Sequence, residues 1–169
     1  MIEEICDTVY EATNWVYAEV VWSGRAEGGS ASRILDKVEQ QTRLIQSWLA
    51  SKLGGNDYFN GETFGYADVC VAPYLNRSVY YGLGPAQGSP LQEWHARIKV
   101  RESVKPTFEE MEAGAAVMAK NMRKFLEGGL RREYRDHRLE AMIKLGGLDV
   151  VLEGLRKETI RFGWPEVGV

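Results

Sequence analysis

Between Tyr58 and Leu83 the chain reads YFNGETFGYADVCVAPYLNRSVYYGL, a polar turn followed by the most apolar continuous run in the sequence. Phe64 stands just before Gly65, and Asp68 follows that glycine by three residues. With Gly65 as the N-cap, Asp68 becomes the third helical residue. There a carboxylate can reach back to the free amides of the first turn and meets the positive end of the helix dipole. Phe64 and Val69 then take the two positions of a hydrophobic staple. Val69, Cys70, Val71, Ala72, Tyr74, Leu75, Val79 and Tyr80 make the helix apolar nearly all round, which predicts a central, buried element. Pro73 lies inside it, removes one backbone hydrogen bond, and predicts a kink.

The segment FNGETFGYADVCVAPYL resembles the start of the central helix in the C-terminal, all-helical domain of glutathione transferases. The pattern there is an apolar residue, a Ser or Thr cap, two residues, Asp, then an apolar helix. Gly65 departs from it at the cap: glycine is an acceptable N-cap but has no side-chain acceptor, which weakens the helix start by roughly a few tenths of a kcal/mol. The resemblance runs from near Ile34 to near Phe108. It continues more loosely to the C-terminus, where REYRDHRLEAMIKLGGLDVV looks like a tail found on some members. It implies an all-α fold, a glutathione-transferase C-terminal-like bundle with a long helical hairpin, a buried central helix and extra C-terminal helices. Residues 1–169 would form one such domain, with a core at 1–126 and a helical extension at 127–169.

Length and charge agree with this class. A chain of 169 residues suits one domain with a single sizeable core, and 44% hydrophobic with 27% charged residues is ordinary for a globular protein. A net charge of −3 gives no bulk attraction to nucleic acid. No stretch approaches the ~20 apolar residues of a membrane span, and the acidic start lacks a signal-peptide pattern. The expectation is a cytoplasmic protein with no nucleic-acid and no membrane partner. Cys6 and Cys70 have no metal or redox spacing and read as small buried apolar residues. His95 and His137 lie far apart with no partner pattern, so no metal site is expected.

The other elements follow from periodicity and punctuation. Ile2, Ile5, Val9, Val16 and Val20, with Tyr10, Thr13, Tyr17 and Val21 beside them, predict a first helix over residues 2–24 that Gly24 ends. Ser30 or Ser32 caps a second, carrying Ile34, Leu35, Val38, Ile45, Trp48 and Leu49 to Leu53, where Gly54-Gly55 stops it. The pair predicts an antiparallel hairpin. Ser89-Pro90 opens a helix whose inner face is Leu91, Trp94, Ile98 and Val100. A further helix follows, broken near its beginning at Pro106, with Gly128-Gly129 after it. Two last helices, 131–145 and 148–160, are separated by Gly146-Gly147. The mixed-charge run RREYRDHR reads as a solvated helix face with pairs such as Glu133 with His137.

Catalytic residues are not identifiable. In the family the tripeptide is bound by a preceding thioredoxin-like domain that also supplies the thiolate-stabilising Ser, Tyr or Cys. No segment here reads as that domain, so the chain is either a piece of a longer transferase or a free-standing helical domain. The resemblance implies that the helical part provides the pocket for a small hydrophobic electrophile. The first helix offers Tyr10, Thr13, Asn14 and Tyr17 within two turns, on or beside one face. A tyrosine hydroxyl there could stabilise developing negative charge; equally, these side chains could be core or subunit-interface residues. The terminal segment IRFGWPEVGV offers Phe162 and Trp164 as a lid, or else an untethered tail. No resident cofactor is expected, with glutathione a co-substrate when a thioredoxin-like domain is supplied in cis or in trans, and a homodimer is the expected assembly. The alternative function is a non-catalytic interaction module, like the helical transferase-like domains of translation factors and aminoacyl-tRNA synthetase complexes.

Overall fold

Helical periodicity in the first residues produces helix α1 in three continuous segments: Ile2–Glu4, a wider π-helical turn at Ile5–Tyr10, and Glu11–Trp22. The computed structural model describes residues 1–22, 29–126, 132–134 and 136–162. The expected stops at Gly24 and Gly128-Gly129 fall outside these. The π turn shifts the phase of the helix, so Cys6 and Tyr10 face inward while Val9, expected inside, is 37% exposed. Helix α2 runs Gly29–Leu53 and α3, the central helix, Tyr66–Tyr80; α4 (Pro90–Lys99) and α5 (Lys105–Leu126) follow. Strand β1 (Arg132–Tyr134), α6 (Asp136–Lys144), α7 (Leu148–Arg156) and strand β2 (Ile160–Phe162) complete the order. The fold is all-α apart from the short parallel pair β1–β2, which matches Arg132 with Ile160 and Tyr134 with Phe162.

Several expectations need correction. Ser30 and Ser32 lie inside the first turn of α2 rather than ahead of it. Pro106 sits in the first turn of α5, where a missing N–H costs nothing, and does not break the helix. Residues 132–134 are extended, so the helix expected from 131 begins at Asp136, and the last helix ends at Arg156. Val100 lies past the end of α4 and is 76% exposed. The paired side chains proposed at Glu133 and His137 are outside what is described. The break at Gly146-Gly147 holds: Gly146 has φ +89°, and a Cβ at Gly147 would overlap Met142 Sδ.

Two apolar clusters divide the bundle lengthwise. One joins Cys6 and Tyr10 of α1 to Ile45, Leu49 and Leu53 of α2, Val71 and Leu75 of α3, and Leu91, Trp94 and Ile98 of α4. The other joins Val16 and Val20 to Ala31, Ile34 and Val38, and adds Met142, Val151 and Ile160 from the C-terminal elements. Early α1 therefore meets late α2, and late α1 meets early α2, which is the register of an antiparallel hairpin. Gln46 Nε2 confirms it by donating to Tyr10 Oη at 3.2 Å and to the Leu83 carbonyl at 2.7 Å.

The start of α3 is heavily bonded. Asp68 is fully buried, and its Oδ2 accepts from Gly65 N at 2.8 Å. Its Oδ1 accepts from Phe59 N at 2.9 Å and from the Trp94 indole Nε1 at 2.7 Å. One carboxylate thus ties the preceding loop, the helix start and α4 together. The departure at Gly65 has a steric cause: a Cβ there would lie 2.9 Å from Asn60 Cβ. The expected staple does not form, because Val69 is 54% exposed; Phe64 instead meets the Tyr58 ring edge-on and carries the Arg101 guanidinium 4.3 Å above its face.

His95 links three helices, bonded to Asn76 Oδ1 at 2.8 Å and stacked on Phe108. Burial, and secondarily the charge of Lys99, holds its pKa below the usual histidine value. The unfolded chain therefore binds more protons as pH falls through the ordinary histidine range. Stability from neutral His95 is complete above about pH 6.5 and is lost on acidification below it. Urea titrations between pH 7 and pH 5 should show this loss, and His95→Gln should remove that part of the pH dependence.

Candidate functional site

The four first-helix residues singled out above do not converge on one cavity. Tyr10 is fully buried beneath Gln46, and burial pushes its hydroxyl up to about 12. Asn14, 1% exposed, is a cross-link: its Nδ2 donates to the Tyr74 carbonyl at 3.0 Å and its Oδ1 accepts from Ser78 Oγ at 2.9 Å. That bond takes up a carbonyl one residue after Pro73, on a helix that stays continuous through the proline. Thr13 donates to the Val9 carbonyl at 2.7 Å and borders a groove of about 330 Å³ shared with Thr8, Gln41 and Lys144. Tyr17 donates to the Tyr81 carbonyl at 3.0 Å and stacks on the Tyr81 ring with centroids 4.6 Å apart. Phe162 lies in β2 with its side chain outside the description, as is the whole of Trp164.

A different face of α1 opens onto a more suitable space. Trp15, Ala18 and Trp22, at i, i+3 and i+7, meet Arg77 and Tyr81 of the α3 end and Met111, Gly114, Ala115 and Met118 of α5. Together they enclose a cleft of about 290 Å³. Its lining combines the small residues Ala18, Gly114 and Ala115 with aromatic and thioether side chains. A Cβ on Gly114 would meet nothing within 4 Å, so this mid-helix glycine borders open space. Trp15 is fixed from behind by Arg138, whose guanidinium lies 4.4 Å over the indole and bonds Glu11 Oε1 at 2.8 Å. That contact corrects the reading of Arg138 as part of a solvated face. Tyr81 is buried enough to push its hydroxyl up to about 12, with the Arg77 charge pulling the other way. The phenol is therefore neutral and a hydrogen-bond donor at ordinary pH.

Chemistry decides between the two spaces. Small-molecule sites are mostly apolar and aromatic with few polar groups, which fits the cleft; the groove has no aromatic ring among its described residues and is edged by the Glu140–Lys144 ion pair. No group of three or more His, Cys, Asp or Glu comes together among the described residues, and no described helix is long and apolar enough to cross a membrane.

Residues 30–97 match the glutathione S-transferase C-terminal domain family. The match supports a glutathione S-transferase C-terminal-like helical domain over that stretch. No curated protein and no solved structure matches it. The matched span covers α2, the Asp68-bonded start of α3 and most of α4. The cleft draws on α1 and α5 outside the span, and on Arg77 and Tyr81 within it.

Sequence reading missed Trp15, Trp22, Arg77, Tyr81 and Gly114. Two signals were available: two tryptophans seven apart with alanine between them, and a glycine inside an otherwise strong helical segment. Gly114→Ala should raise stability by about 0.5–1 kcal/mol, since a helix-interior glycine is costly and the added methyl meets open space. An unchanged or lowered thermal midpoint would show that the space is filled.

Proposed function

We propose that this domain is the helical half of a glutathione S-transferase-like protein, contributing the second-substrate site for thiol conjugation. The observation that carries the reading is the three-helix cleft, whose size and aromatic, thioether-rich lining suit a small hydrophobic electrophile. Tyr17 serves it from behind, by stacking on Tyr81. Glutathione enters as a co-substrate on a thioredoxin-like domain joined in cis or in trans. Proximity of the bound thiol and electrophile then supplies most of the rate.

A partner domain of that kind is supported by the uncovered side of α3. Tyr66, Val69, Pro73, Arg77 and Tyr80 recur at i, i+3, i+7, i+11 and i+14, one face of a helix. Tyr66 is 67% exposed, Val69 54% and Tyr80 41%. Arg77 of this stripe also lines the cleft, so a domain seated on the stripe would border the electrophile. A homodimer is the natural assembly for the remaining apolar surface.

A second reading, a non-catalytic interaction module, is favoured by Leu148, Leu152 and Leu155, which stand exposed along one face of α7. The two readings separate in a conjugation assay of the chain alone and joined to a thioredoxin-like, glutathione-binding domain. The enzymatic reading expects turnover only in the joined protein, with loss in Gly114→Trp, which fills the cleft. Equal turnover by Gly114→Trp would remove the cleft from the reaction. No turnover in any joined form would favour the interaction module.

A further inference from the structure

The cleft combines three observations that together specify more than an apolar ligand. Its walls are flat and aromatic, from Trp15, Trp22 and Tyr81. Small residues line it as well, with Gly114 leaving open space. Among the described residues its one cationic lining residue is Arg77, at the end of the central helix.

Arg77 is the feature that the hydrophobic reading leaves unexplained. Among the described residues no carboxylate lies within 4 Å of its guanidinium, whereas Arg43, Arg97 and Arg138 each pair with one. Glu19, a buried carboxylate of α1, has an interaction of its own, and Glu11 is held by Arg138. Half-buried beside Tyr81, Arg77 is close enough to favour that phenol's ionised form. A guanidinium presents a planar fork of donors that fits a carboxylate or sulfonate in bidentate fashion. It does so here at the edge of an aromatic slot, where screening by water is reduced.

We infer that the cleft takes an aromatic anion, a ring system of naphthalene size between the indoles with its carboxylate or sulfonate on Arg77. The inference rests on the cleft being the second-substrate site, and narrows that substrate to anionic aryl compounds. The neutral Tyr81 hydroxyl is a second donor at the same end.

Calorimetric titration of the full chain with 2-naphthoate and with neutral 2-naphthamide tests this. The expected result is that naphthoate binds at least about tenfold more tightly, equivalent to about 1.4 kcal/mol. Arg77→Gln should bring naphthoate down to the affinity of naphthamide without changing the latter, and Arg77→Lys should restore most of the difference. Gly114→Trp should weaken both ligands. Equal affinities in the parent chain, or a naphthoate preference that survives Arg77→Gln, would overturn the anion assignment and leave the cleft standing. No binding of either ligand, or binding unaffected by Gly114→Trp, would remove the cleft as a site and the anion assignment with it.

Discussion

Asp68→Ala is expected to cost about 4 kcal/mol of folding stability in urea denaturation, several times what a lost helix cap costs. The cap alone would be worth about 1 kcal/mol. The difference comes from the other two donors: Phe59 N and Trp94 Nε1 would be left buried without an acceptor, and the loop before α3 would lose its tie to α4. Against a typical domain stability of about 5–15 kcal/mol, such a loss brings the chain close to unfolding at ambient temperature. Asp68→Asn keeps one acceptor oxygen and should cost about half as much. A loss near 1 kcal/mol for Asp68→Ala would mean that the contacts to Phe59 and Trp94 contribute nothing and that the cap acts alone.

The second large effect is expected at Asn14. Its amide joins α1 to α3 through the Tyr74 carbonyl and Ser78 Oγ in a buried setting. Asn14→Ala should lower stability by about 2–3 kcal/mol, because both partners remain buried after the amide is gone. Asn14→Asp should be at least as costly, since it places a carboxylate against the Tyr74 carbonyl. The same variants test the proposed placement of the ligand site. If Asn14→Ala melts like the parent but loses affinity for aryl ligands, Asn14 is a binding residue as the sequence pattern suggested, and the cleft on the Trp15 face is misplaced.

Local features of the fold were legible in the sequence, and long-range ones were not. Gly65 and Asp68 are three residues apart, so their bond follows from helix geometry alone. The same holds for Ser89, whose hydroxyl accepts from Gln92 N ahead of α4, and for the positive φ of Gly54 after α2. The other partners of Asp68 lie 9 and 26 residues away, and nothing in local spacing points to them. Periodicity marked Tyr10, Asn14 and Tyr17 as sharing a side of α1. It could not say that this side faces α2 and α3 while Trp15, Ala18 and Trp22 face the void. The apolar run of α3 suggested burial all round, yet Tyr66, Val69 and Tyr80 stand exposed. Apolar character on every face fits an element that a second domain covers as well as one wholly inside. The strand at Arg132–Tyr134 escaped because three residues are too few to show alternation.

The five tryptophans give the most direct test of the proposed ligand cleft. In a nitrogen-15 spectrum of the full chain titrated with 2-naphthoate, the indole N–H signals of Trp15 and Trp22 should shift, while those of Trp94, bonded to Asp68, and Trp48, stacked under Lys52, should stay in place. Stationary Trp15 and Trp22 signals under saturating ligand would contradict the proposal that the three-helix cleft is the ligand site.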